Sequence, residues 1–486
     1  MVEVELKFQI PEARRSALLK ALDPKKSEII HLQAKYFDTP DRKLAQQHIA
    51  IRQRLEGTRW IQTLKAAGKS HIQRFEHNID LGELDAPPEL DLSVYQTAPE
   101  AQAILTHALG ANFDQLQLQF ETVVERTSRL VSHLDAEIEI SLDRGLVKTL
   151  SSEQEIHEVE FELKSGSIQS LLNFCFEWVK KYQLWLDVRS KAEIGNLLAI
   201  GQKVSPAVGS KEFLSSKKDH ADKNLRKLIA QQLQHLLPNI AAISAGVAES
   251  EHFDQAELAL EQLYLSTSLF KDWSSDVSEK WSYQLQAFKQ QFENLKHYEH
   301  MKETLGGFLQ NKNTAMQLEK DILYAREKLN NLVKSTLNVH HFLELMTFSL
   351  DDQSSSTALD LKTAAQTSLQ QQYKQLQESF SQIDQHDFDQ LNDLAHKIQA
   401  LKFSFPILTH IHDIKNLQKY SKALNDAHFA AKEYLQLSQS TTYIQQTELE
   451  ASDWFVLGWL TAKQEVFAEK FLEQTEQFLV SRKFVK

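Results

Sequence analysis

Before about residue 204, apolar and polar residues exchange places at a period of two in a series of short stretches. These are Val2 to Phe8, Ala34 to Asp38, Ile49 to Leu55, Trp60 to Lys65, Gln73 to Ile79, Gln117 to Thr122, Leu134 to Leu142 and Ile156 to Lys164. Successive side chains of a strand point to opposite faces, so the pattern predicts antiparallel strands, each with one apolar face. Helical spacing is sparse here: Pro11 to Leu22, which opens with proline in a first-turn position, Ile168 to Lys180, and Lys191 to Leu198.

Beyond residue 210 the period changes. Apolar residues recur at three and four, as in Leu225, Leu228, Ile229, Leu233 and Leu236, and again in Phe455, Leu457, Leu460, Phe467, Phe471 and Phe478. Glycine and proline fall to Gly246, Gly306, Gly307, Gly458, Pro238 and Pro406. The remainder is rich in Leu, Gln, Lys, Glu and Ala, which favour helix, and a helical bundle is expected. Between the halves, Gly201 to Ser216 is rich in Gly, Pro and Ser and reads as a linker. The expected domains are residues 1–202, a linker at 203–216, and a helical domain at 217–486.

Charge narrows the function. With 54 Lys and Arg against 66 Asp and Glu, the net charge is −12. A general nucleic-acid binder draws its affinity from phosphate neutralisation, so nucleic acid is not an expected partner. No apolar run is long enough to span a membrane. The opening MVEVELKF carries carboxylates where a secretory leader would be basic, so the expectation is a cytoplasmic protein without a membrane partner. Cys175 is the single cysteine and lies at helical spacing among apolar residues, the pattern of a buried thiol.

The polar faces of the strands are charged. Glu3, Glu5 and Lys7 share one face. So do Arg52 and Arg54, Thr63 and Lys65, Arg74 and Glu76, Glu137, Glu139 and Asp143, and Glu158, Glu160, Glu162 and Lys164. On pattern alone this is either a solvated sheet face or the lining of a closed barrel. A barrel would bring guanidinium and ammonium groups, which suit phosphoryl oxygens, together with carboxylates, which suit hard divalent ions. A polyphosphate with its metal needs both sets.

Glu3-Val4-Glu5-Leu6-Lys7 resembles the ExExK motif that opens the CYTH superfamily, the triphosphate tunnel metalloenzymes. It is followed in family order by Tyr36-Phe37-Asp38-Thr39, Arg52-x-Arg54, Thr63-Leu64-Lys65, Arg74-x-Glu76, Arg126, the strand and turn from Glu137 to Gly145, Glu158-x-Glu160-x-Glu162-x-Lys164, and Ser190-Lys191. The resemblance covers roughly residues 1–200 and implies an eight-stranded antiparallel tunnel barrel. It implies that Arg52, Arg54, Lys65, Arg126 and Lys191 hold triphosphate oxygens. Arg126 is preferred to Arg129 because it follows Thr122 by four residues, as in the F-x-T-x-x-x-R pattern of two-domain members. Glu3, Glu5, Glu160 and Glu162 are implied metal ligands for Mg²⁺ or Mn²⁺. Asp143 is a further metal or water contact, Lys7 and Glu76 are supporting tunnel residues, and Arg74 is a further substrate contact.

A helical segment after such a domain resembles the CHAD domain, a pair of four-helix bundles associated with polyphosphate. His396-Lys397-Ile398, Lys402, Leu417-Gln418 and Leu424-Asn425-Asp426 match its second repeat. The helix of the first repeat, usually basic, instead carries Asp254, Glu257 and Glu261 between His252 and Phe270. Polyphosphate binding by this half is therefore not favoured. The whole resembles an inorganic triphosphatase of α+β and then all-α class, acting on inorganic triphosphate. The alternatives are a thiamine or nucleoside triphosphatase, a CYTH-type adenylyl cyclase, and a non-catalytic polyphosphate sensor.

Overall fold

The computed structural model describes residues 2–70, 72–110, 112–351, 359–411 and 417–480, with the side chains of all but Val2, Lys69, Asp114 and residues 417–419. Leu417 and Gln418 of the CHAD-like pattern are therefore outside the described side chains. The chain forms two compact units. The first comprises Met1–Gly209 together with Gln234–His252 and Asn330–Thr347; the second comprises Ser210–Leu233, Phe253–Leu329 and Phe348–Lys486.

The first unit contains strands β1 (Val2–Gln9), β2 (Glu28–Asp38), β3 (Ala50–Glu56), β4 (Arg59–Ser70), β5 (Gln73–Glu83), β6 (Gln117–His133), β7 (Ala136–Lys148), β8 (Glu153–Ser165) and β9 (Trp185–Leu186). The strands lie in the order β5-β4-β3-β2-β6-β7-β8-β1-β9, all paired antiparallel, and an additional β5–β1 pairing closes β1 to β8 into a barrel. Closure satisfies the backbone groups that an open sheet would leave at its edges.

All eight alternating stretches fall on strands, although Ile49 lies just before β3 and Leu134 and Asp135 form the turn before β7. The main difference is length: β6 runs 17 residues, well past Thr122. Beyond Thr122 it does not alternate cleanly, since Val123 and Leu130, which should face opposite ways, are both exposed. Pairing with β7, from Glu121↔Lys148 to His133↔Ala136, carries it onward. The helix Pro99–Leu109 was not expected from periodicity, and it supplies part of the barrel's outer cover.

Two apolar layers cover the outside of the barrel. On one side Ile51, Leu64 and Ala66 cluster with Leu44, Tyr95, Ala101, Leu105 and Leu109. On the other, Phe161 of β8 meets Phe8 of β1 and Phe174 and Trp178 of the helix Ile168–Tyr182, each with ring centroids 5.5 Å apart. Cys175 of that helix is fully buried, and burial holds its thiol well above the usual range. Covered outer faces leave the charged faces pointing inward.

Nine α-helices follow among the described residues, from Ala221–Ser244 to Ala451–Val480. Leu225, Leu228, Ile229, Leu233 and Leu236 are buried, as the spacing predicts. In the last helix Leu460, Phe471 and Phe478 are buried while Phe455 is exposed, so the inward stripe is narrower than the run of aromatic residues suggested. No described helix is long and apolar enough to cross a membrane.

Candidate active site

Strand register builds the site. Paired residues in neighbouring strands share a face, and one face can be followed around the barrel. Glu3 pairs with Arg74, Glu76 with Lys65, Thr63 with Arg52, Arg52 with Tyr36, Arg126 with Asp143, Asp143 with Glu158, Glu160 with Lys7, and Glu162 with Glu5. Every candidate on a strand lies on this inner face. Lys191 comes from outside the sheet. It is the first residue of the helix Lys191–Ala199, whose N-cap Ser190 accepts a hydrogen bond from the Glu193 N–H. Gly195 brings this helix close to the barrel: a Cβ there would lie 2.2 Å from the Phe120 ring.

The inner charges fall into two linked groups. In the first, the Lys65 ammonium is 2.7 Å from Glu3 and 2.8 Å from Glu76, Arg52 is 4.0 Å from Glu76, and Arg74 is 3.4 Å from Glu5. Glu3 and Glu76 also share a hydrogen bond. Burial pushes Glu3 up to about 8, with Lys65 opposing and Glu5 adding to the rise. Glu76 is held below the usual carboxylate range: burial alone would raise it, but Lys65, Glu3 and Arg52 prevail.

In the second group, Arg126 donates two parallel hydrogen bonds to Asp143, both 2.7 Å, and a third to Glu160 at 2.6 Å. Lys191 reaches Asp143 and Glu160, each at 2.7 Å, and also Glu158. Lys7 lies 3.4 Å from Glu158 and donates to the Arg189 carbonyl. Asp143 is wholly buried and kept ionised, because Lys191 and Arg126 outweigh the cost of burial.

Arg54 joins the groups. Burial lowers its pKa to about 10, and Arg52 and Arg126 push the same way, with Glu56 opposing. Three guanidinium groups therefore crowd one interior. Tyr36 is held below the usual phenol range: burial opposes this, but Arg52, Lys191 and Arg54 surround it.

Glu162 stands apart from these groups, 2.7 Å from Lys164, which is itself 3.4 Å from Glu139. Arg129 donates to the Ala21 and Leu22 carbonyls and takes no part in the interior. One residue was missed as a candidate. Glu158 is 2% exposed, and with Asp143 and Glu160 it offers carboxylate oxygens all within 4.8 Å of one another. Alternation at Glu158, Glu160 and Glu162 put it on the inner face. Its pairing with Asp143, which selects it over Glu162, depends on register.

Residues 1–193 match the family model described as the CYTH domain. The barrel is a CYTH domain. Over 186 residues the chain is 32% identical to a Haemophilus influenzae protein named inorganic triphosphatase, covering 37% of this chain and 46% of that one. The match thus spans about half the length of that relative. Among solved structures, a CHAD domain from Ricinus communis covers 57% of this chain and 98% of its own, at 14% identity and TM-score 0.48. A Hippeastrum protein described as a putative adenylyl cyclase with dominant triphosphatase activity covers 42% of this chain and 97% of its own, at 16% identity and TM-score 0.30. Both overlaps are too loose to carry the assignment. The CYTH assignment rests on the family match, and the closed barrel follows from the strand pairing.

Proposed function

We propose that the chain hydrolyses inorganic triphosphate to diphosphate and phosphate inside the CYTH barrel, with Mg²⁺ or Mn²⁺ as cofactor. The observation that carries this reading is the convergence of Arg52, Arg54, Arg126, Lys65 and Lys191 on one interior, where the charge of Arg54 is destabilised by burial and then by its like-charged neighbours. Buried cations held against one another favour a polyanion between them. Arg52, Arg54 and Arg126 would grip non-bridging oxygens bidentately, and Lys65 and Lys191 would act as point charges along the chain of phosphates.

The donor set fits a hard divalent ion. Asp143, Glu158 and Glu160 supply only oxygens, within 4.8 Å of one another; Glu3 and Glu5 lie on the neighbouring inner face of β1. A bound ion would neutralise phosphoryl oxygens and lower the pKa of a coordinated water. The chain's own residues then exchange partners. Lys191 and Arg126, now paired with Asp143 and Glu160, turn to the substrate and release those carboxylates. Water oxygen bonds to the terminal phosphorus as the bridging P–O bond to diphosphate breaks, and the cations stabilise the charge on the transferred group. Lys7, anchored on the Arg189 carbonyl, and Glu76, anchored on Lys65, act as supports. The helical half is read as CHAD-like, and the chain as a cytoplasmic protein.

Phosphate release from inorganic triphosphate by the purified full-length chain tests the reading. Release that needs Mg²⁺ or Mn²⁺ and stops with excess chelator supports it. No release with either ion removes the hydrolytic assignment.

A further inference from the structure

Along β1, the edge that faces β5 changes partner. Val2, Glu3 and Val4 pair with β5, whereas Phe8 and Gln9 pair with β9. Between them, the Glu5 N–H donates to the Ile72 carbonyl at 2.9 Å and the Asp187 N–H donates to the Lys7 carbonyl at 3.1 Å. The barrel wall therefore has a seam at residues 5–7. A small cavity lies there, lined by Glu5, Lys7, Arg74, Leu186, Val188 and Met346 among others. From within, Arg74 spans the seam, 3.4 Å from Glu5 and 3.5 Å from the Val188 carbonyl.

Met346 comes from the helix Thr336–Leu350, far along the chain, and is 4% exposed. Residues 330–347 belong to the barrel's compact unit. Two more contacts hold them there. The His340 ring nitrogen is 3.0 Å from the Phe176 carbonyl, and the Lys334 ammonium lies 5.3 Å above the Trp185 ring of β9. Lys334 and the helix after it thus brace the segment that gives β1 its second partner, and methionine, flexible and unbranched, lines the small cavity that remains.

We propose that Met346 is a positioning residue for the tunnel: it stoppers the seam from outside, holding Glu5, Lys7 and Arg74 in place and bulk water away from them. Its activity readout rests on the hydrolytic reading above. In the full-length chain, Met346→Ala lowers kcat for triphosphate about 10- to 100-fold, the range for small misplacements of reacting groups, with KM changed less than about threefold. Met346→Leu, nearly equal in volume, recovers most of the rate. Amide hydrogen exchange in Met346→Ala quickens at residues 5–7 and 185–189 and stays as in the wild type in β6 and β7. Should Met346→Ala not fold, Met346→Val carries the same comparison.

Unchanged kcat overturns the proposal even where exchange quickens, because the side chain would then be structural only. Unchanged exchange at the seam overturns it whatever the rate does. If the wild-type chain releases no phosphate, the hydrolytic reading falls by itself and exchange at the seam alone decides the role of Met346.

Discussion

Two regions of this protein bury clustered charge, and they do so with opposite sign. In the barrel, guanidinium groups crowd one another and Arg54 titrates at about 10. In the helical half, carboxylates do the crowding. Burial pushes Glu261 up to about 7, Glu257 adds to the rise, and Lys289 and Lys296 oppose it. Lys296 is 2.5 Å from Glu257, Lys289 is 2.6 Å from Glu293, and Gln399 donates to Glu261. Cations in both regions have carboxylate partners, but in the barrel the guanidinium groups of Arg52, Arg54 and Arg126 also press on one another. The helical cluster crowds carboxylates, whereas the barrel adds a guanidinium crowding that a bound anion would relieve. Polyphosphate recognition by the helical half finds no support in these residues. Lys397 bonds Ser379 and Asp393, and Lys402 lies near His428.

The largest test of this contrast is the loss of a carboxylate from the barrel. Glu160→Gln is expected to lower triphosphate turnover by about 10²–10³-fold, the scale of one lost electrostatic element in an active site, with the fold retained by circular dichroism. Near-normal turnover would take Glu160 out of the metal set.

Next come the two arginines. Arg126→Ala removes one of the two cationic partners of the fully buried Asp143, Lys191 remaining, and is expected to destabilise the unit by about 3 kcal/mol, the low end for a broken buried pair, as well as impair activity. Arg54→Ala relieves like-charge crowding and gives up a hydrogen bond to Glu56, whose half-buried carboxylate water can solvate instead. It should leave the melting temperature unchanged or higher, while kcat/KM falls roughly 10- to 150-fold for a charge-assisted hydrogen bond worth ~1.5–3 kcal/mol. Equal destabilisation by both substitutions would erase the distinction between a cation bound to a wholly buried carboxylate and one crowded by other cations.

The smaller effects belong to the helical half. Glu261 has a folded pKa above its ordinary value, so its contribution to stability is complete below about pH 4.5 and is lost as pH rises through about 7. Glu261→Gln removes this loss. Thermal unfolding of the variant should exceed wild type at pH 8 by roughly 2–4 °C for each kcal/mol recovered and match it near pH 5. A variant less stable at pH 8 would mean that the ionised carboxylate is stabilising. Long-chain polyphosphate should bind the full-length chain no more weakly after Lys397→Ala and Lys402→Ala; a clear loss would reveal a basic site in this half.

Much of the barrel could be read along the chain because period-two alternation and inward charge coincide. Val4, Leu6 and Phe8 against Glu3, Glu5 and Lys7 already separate outside from inside. What alternation cannot supply is register. Glu158, Glu160 and Glu162 share a face, yet only the pairing Asp143↔Glu158 shows which of them join Asp143. Long-range packing is equally silent. Nothing in TLNVHHFLELMTFSL says that Met346 lines the cavity at the seam, because an apolar helix buried on several sides carries no mark of its neighbour. In the helical half, helix formers and the spacing of Leu225 to Leu236 were enough to identify a buried stripe. The aromatic residues of the last helix were a poorer guide, since Phe455 lies exposed.

The central claim is that the barrel interior is a triphosphate site in which cations change partners. A crystal structure of the full-length chain soaked with inorganic triphosphate tests it most directly. The account predicts triphosphate density among Arg52, Arg54, Arg126, Lys65 and Lys191, with Lys191 moved from Asp143 and Glu158 onto phosphate oxygen. Triphosphate bound elsewhere, with the Arg126–Asp143 and Lys191–Glu160 pairs intact, would contradict it.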